Sequence, residues 1–144
     1  VKWFMDILKG AALITGTTYT VERDPAYKAK IPCMRLNDLI MENAKAFDAP
    51  QITPPREKTG STDFGNVMYK VPGSCIRLAF VPAGTAAHSE GYLNAGKSEE
   101  AHRAVRLSAE ILAGTCLDIL EDPQLMTEIK EDFARRKEQM AKSI

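Results

Sequence analysis

Two short stretches hold most of the residues suited to chemistry. The first, GSTDFGNV at Gly60–Val67, packs two glycines, two hydroxyls, an acid and an amide into eight residues. The second, GTAAHSEG at Gly84–Gly91, contains His88, one of two histidines in the chain. In the first, a glycine followed by Ser61, Thr62 and Asp63 opens a short helix whose leading N–H groups lack intrahelical partners. That geometry suits an anionic oxygen from a carboxylate or phosphate. Ordinary helix capping explains the same residues equally well. No lysine follows in the manner of a Walker loop, and neither GST nor GSC fits a G-x-S-x-G elbow.

His88 follows a run of apolar residues and is flanked by Gly84, Thr85, Ala86, Ala87, Ser89 and Gly91. Neighbours this small let a metal ion or substrate approach the imidazole. A surface-loop histidine without a role fits the position too. His102 lies between Glu99 and Arg106 in a helical stretch and reads as an exposed helical residue. Glu99 and Glu100 stand where acids favour a helix start, so they read as first-turn residues rather than a general-base pair. ARRKEQMAK near the C-terminus reads as a solvated basic face.

These groups need elements to hold them. Phe4, Ile7, Leu8, Ala11 and Ile14 follow helical spacing and predict a helix over Lys2–Thr15, stopped by Gly16 in the left-handed conformation. It begins without a capping residue and reads as the continuation of a longer chain. TTYTVERD alternates β-branched and aromatic residues with polar ones, predicting a half-exposed strand ended by Asp24-Pro25. A helix over about Leu36–Phe47 follows, then a proline-rich loop, then a short helix in STDFGNVMYK. SCIRLAFVP is apolar at alternating positions on both sides except for Arg77, predicting a strand inside a sheet. Ser98 caps a helix to about Leu120, and Asp122-Pro123 starts the last helix, with Leu125, Ile129 and Phe133 four apart. The order predicts an α/β fold.

Bulk properties exclude several classes. The 144 residues suffice for one domain, and 44% apolar and 26% charged residues are those of a globular protein. Nineteen basic residues balance nineteen acidic ones, so no global field favours nucleic acid or an anionic membrane. No apolar run approaches the roughly 20 residues of a membrane span, and no leader resembles a secretion signal. Cys33, Cys75 and Cys116 are odd in number and widely spaced, which argues against a disulfide framework and predicts buried thiols in a reducing, cytoplasmic compartment.

Taken together, GSTDFGNV, the strand CIRLAFVP and GTAAHSEGYLNAGKSEEAHRAVRLSAEILAGTCLDILEDPQL resemble the C-terminal third of the aminoacylase and carboxypeptidase G superfamily. The branch most similar is that of aminobenzoyl-glutamate hydrolase and related dipeptidase-like amidohydrolases. The resemblance implies a C-terminal part of a two-domain zinc-peptidase-like fold. Residues 1–23 would be the last helix and strand of a lid or dimerisation domain, and residues 24–144 the C-terminal part of the metal-dependent catalytic domain. His88 takes the place of the family's last metal ligand, for one of two divalent metal ions, zinc by similarity. Gly60, Ser61, Thr62 and Asp63 fall where the family receives the substrate carboxylate. The family's other ligands and its general-base glutamate lie upstream, so the catalytic residues themselves are not in this chain.

The implied activity is hydrolysis of amide bonds in N-acyl amino acids, dipeptides or aminobenzoyl-glutamate-like substrates. A homodimer or pairing with a complementary chain is implied, with the isolated chain inactive. A catalytically incomplete remnant acting as a binding or interaction module is the alternative.

Overall fold

The computed structural model describes residues 1–50, 52–53 and 62–142. Among these, six helices follow in order: α1 (Lys2–Thr15), α2 (Met34–Ala46), α3 (Phe64–Met68), α4 (Glu90–Ala95), α5 (Glu99–Glu121) and α6 (Pro123–Lys142). Local rules set their ends. Gly16 closes α1 at φ 66°, where an L side chain would be strained, and its N–H donates to the Ala12 carbonyl. Ser98 Oγ accepts from the Ala101 N–H at the start of α5, and Glu99 and Glu100 occupy the first turn. Asp122 Oδ1 accepts from the Gln124 N–H at 2.9 Å, with Pro123 as the first residue of α6.

The core lies where α2, α5 and α6 meet. Ile129 and Phe133, one helical turn apart on α6, pack with Leu39 of α2 and with Ile31 and Cys33 from the segment entering α2. On the other side of α2, Ile40 and Ala44 pack with Ile111 of α5. Leu36 touches both clusters and joins them. Polar groups between the helices are paired. Asn43 Nδ2 donates to the Leu39 carbonyl and, at 2.6 Å, to Asp118 Oδ2 across the α2–α5 contact. Asp132 of α6 accepts the N–H groups of Met34 and Arg35 at the start of α2. Helix α1 is different in kind: none of its residues is buried, and Trp3, Leu13 and Ile14 stand in solvent.

The α/β expectation is corrected here. No β-strand occurs among the described residues. The expected strand in 17–24 is irregular and exposed throughout, because its alternation finds neither an apolar surface to cover nor a chain to pair with. The stretch 74–81 does alternate, with Ile76 and Leu78 seated on the Ile40–Ala44–Ile111 cluster and Cys75, Arg77 and Ala79 outward. Period-two burial here comes from docking one side on α2 and α5, and no ladder accompanies it. Two of the thiols expected to be buried are also outside the core. Cys33 is buried, whereas Cys75 and Cys116 are exposed. Helix α4 falls outside the expected elements, although its signal, Ser89 followed by Glu90, is an ordinary start.

Candidate functional site

The described part of the first stretch is Thr62–Val67, and Gly60 and Ser61 lie outside the described residues. Thr62 is half-buried and Asp63 exposed. Thr62 Oγ1 accepts the Phe64 N–H at 3.3 Å and donates to Asp63 Oδ1 at 3.3 Å just ahead of α3, whose N-cap Asp63 makes no side-chain capping bond. The rest of the motif is structural. Asn66 Oδ1 accepts the Lys28 N–H at 2.8 Å. A Cβ on Gly65 would lie 2.3 Å from the Lys28 carbonyl oxygen. The glycine is needed because α3 is pressed backbone to backbone against the connector at Lys28. The connector is tied a second time where the Lys28 ammonium sits 4.8 Å from the centre of the Tyr69 ring.

Gly65→Ala is therefore expected to destabilise the chain by about 1–3 kcal/mol, the range for forcing volume into a closed contact. Thermal denaturation followed by circular dichroism checks it, with Gly10→Ala, where a Cβ meets nothing within 4 Å, as the control.

His88 lies between two small turns. In the first, the Pro82 carbonyl accepts from the Thr85 N–H at 3.1 Å and from its hydroxyl at 2.8 Å. In the second, Ser89 Oγ donates to the Ala86 carbonyl at 2.7 Å and accepts the Tyr92 N–H at 3.2 Å, starting α4. Between them His88 takes φ 61°, one of two non-glycine residues in the left-handed region among those described. Such a conformation costs on the order of 1–3 kcal/mol and persists only where its surroundings impose it. The imidazole is exposed, and Ala86 and Ala87 leave the space before it open. The loop is closed at its base by the Phe80 and Tyr92 rings, 4.8 Å apart and inclined at 64°.

No hydrogen bond or ion pair joins Thr62 or Asp63 to His88 among the described residues. Nor do any three His, Cys, Asp or Glu side chains among them come together to hold a metal ion. A zinc centre takes about three protein ligands, so the described residues do not build one alone. An exposed imidazole in open space does fit one coordination position. His102 is exposed on α5. Glu99 is engaged by Arg106 at 2.8 Å, and that hydrogen bond and charge hold its carboxyl below the usual range. It remains an ionised first-turn residue and is a poor proton acceptor.

Comparison with known proteins places the chain beside two kinds of hydrolase. It is 35% identical over 133 residues to the Xaa-Arg dipeptidase of Homo sapiens, covering 89% of this chain and 30% of that protein. The Xaa-Arg dipeptidase of Mus musculus is 32% identical over 132 residues, with the same coverage of 89% and 30%. One of the p-aminobenzoyl-glutamate hydrolase subunits of Escherichia coli (strain K12) is 26% identical over 104 residues, 72% of this chain and 21% of that protein. No family model matches the chain. The chain thus spans less than a third of the length of the curated relatives it matches.

Proposed function

From a chain similar to the C-terminal portion of the aminoacylase and carboxypeptidase G superfamily, we propose the C-terminal part of a metal-dependent amidohydrolase or peptidase. The observation that carries the reading is His88. It stands in the G-T-x-x-H-S position of that superfamily, and its backbone is held left-handed at the open tip of a tightly bonded loop. In this reading it is a ligand to one of two divalent metal ions, zinc by similarity, whose remaining ligands come from the part of the enzyme that this chain does not supply. When bound, such ions lower the pKa of a water and polarise the amide carbonyl.

The chain's own residues do the following. His88 offers a ring nitrogen from a backbone fixed by the Ala86–Ser89 turn, and its alanine neighbours leave room for substrate. Gly60, Ser61, Thr62 and Asp63 are the stretch that receives the free carboxylate of the substrate. The substrates are dipeptides or aminobenzoyl-glutamate-like amides, which the names of the relatives support, or N-acyl amino acids, which the family resemblance adds. No helix among the described residues is long and apolar enough to cross a membrane. Three free cysteines support a reducing, cytoplasmic setting. The decisive test is whether metal content and turnover fall together in His88→Ala but not in His102→Ala.

The reading includes a partner, either a second copy or a complementary chain carrying the other ligands. Trp3, Leu13 and Ile14 on α1, and Val105, Leu112, Leu117 and Leu120 on α5, are apolar and exposed, as surfaces awaiting contact are. In light scattering the 144-residue chain is expected to self-associate, and a complementary catalytic part is expected to dissolve the self-associated form. A dilute monomer with a sharp calorimetric transition would count against it.

A further inference from the structure

We infer that Phe80 and Tyr92 are positioning residues that clamp the base of the 81–91 loop and so hold His88 in its left-handed, ligand-presenting conformation; the inference rests on the proposed role of His88. Phe80 ends the run whose Ile76 and Leu78 are seated on the α2–α5 core, so one end of the loop is anchored to the body of the protein. Tyr92 begins the other end, in the first turn of α4. Their rings meet edge to face at 4.8 Å, the arrangement that aromatic pairs favour beyond the area they bury.

The clamp reaches His88 through Ser89. The Ser89 hydroxyl accepts the Tyr92 N–H and donates to the Ala86 carbonyl, so fixing Tyr92 fixes the turn that spans His88. The left-handed backbone of His88 is strained and needs such support. The ring contact and the two hydrogen bonds of Ser89 act together against that strain. Metal ligation requires the ligand held to within about 0.5 Å, and groups behind a ligand typically affect metal affinity 10- to 100-fold. The Tyr92 hydroxyl takes no part in the ring contact, so Tyr92→Phe should be silent.

The test uses the two histidines of the chain. With ¹⁵N-histidine labelling of the complete enzyme, the backbone amides of His88 in the loop and His102 in α5 are assigned by their loss in His88→Gln and His102→Gln, and the His102 amide reports whether the fold is intact. Tyr92→Leu and Phe80→Leu are expected to move the His88 amide and change its HN–Hα coupling, with His102 unmoved and Tyr92→Phe restoring the native spectrum. Ser89→Ala, which touches neither ring, should perturb the same amide and serves if the leucine variants disturb His102. In the complete enzyme, Tyr92→Leu is expected to weaken zinc affinity about tenfold or more, with Tyr92→Phe at the native value. An unmoved His88 amide in Tyr92→Leu and Phe80→Leu overturns the clamp, whatever Ser89→Ala does. Native zinc affinity in Tyr92→Leu with a displaced amide overturns the positioning role. Full metal content in His88→Ala overturns the ligand assignment itself, whatever the amide does.

Discussion

His88→Ala is expected to remove up to one equivalent of metal from the complete enzyme and to lower its turnover by about 10²–10³-fold or more, the scale seen when one group that stabilises developing charge is lost. The size of the effect follows from where the residue stands. In its proposed role the imidazole would have no substitute nearby, because Ala86 and Ala87 carry no donor atom in their side chains. Thr85 Oγ1 is engaged with the Pro82 carbonyl and Ser89 Oγ with the Ala86 carbonyl. His102→Ala removes an exposed imidazole from a helix and should leave metal content and turnover unchanged. The 144-residue chain alone should bind zinc no better than a surface histidine does, since no cluster of ligands forms among its described residues. Metal analysis with steady-state rates on the two variants decides the matter. Equal losses from both would sink the assignment.

What sequence reading reached here is what neighbouring residues decide. The limits of α1, with Gly16 as its left-handed end, and the starts of α5 and α6 at Ser98 and Asp122-Pro123 depend on groups within one turn, and they match expectation. The family likeness was legible from two motifs read together, and the similarity to the dipeptidases and to the aminobenzoyl-glutamate hydrolase bears it out. The strands were not, because period-two burial looks the same whether a segment joins a sheet or lies across two helices. Ile76 and Leu78 do the second. The need for glycine at position 65 comes from Lys28, 37 positions earlier, and nothing local to GSTDFGNV reveals it. In the loop, small flanking residues pointed to His88. Its positive φ was illegible, since Gly84, also at positive φ, is the residue that announces such a conformation.

The other large expected effect lies in the core, at Asp132. Helix α2 begins at Met34 without a cap of its own, because Cys33 in the capping position makes no side-chain bond to it. The missing acceptor comes from α6. Asp132 Oδ2 takes the Met34 N–H at 2.7 Å and the Arg35 N–H at 3.2 Å, from nearly a hundred positions away. The carboxylate is 7% exposed, and Arg136 at 3.1 Å and Arg135 balance its charge. Burial alone would raise its pKa, but the Arg35 and Met34 N–H groups and the two arginines outweigh burial and hold the carboxyl below its usual range.

Asp132→Ala leaves two helix N-terminal donors and part of an arginine pair unmatched. A lost cap costs about 1 kcal/mol and a hydrogen bond to a charged group about 1.5–3, so the expected loss is about 3 kcal/mol. Against a total stability of about 5–15 kcal/mol this is large. Asp132→Asn, which keeps one oxygen acceptor, should lose less. The sign of the pH dependence follows from the lowered pKa. The unfolded chain binds this proton more tightly than the folded one, so the contribution is complete above the ordinary carboxylate value of about 3.9 and disappears as pH falls through the lower folded value. Urea unfolding at a series of pH values should therefore show the native chain losing stability over that acid range and Asp132→Ala losing less, so that the two curves converge. Parallel curves would mean that the carboxylate is not what joins α2 to α6.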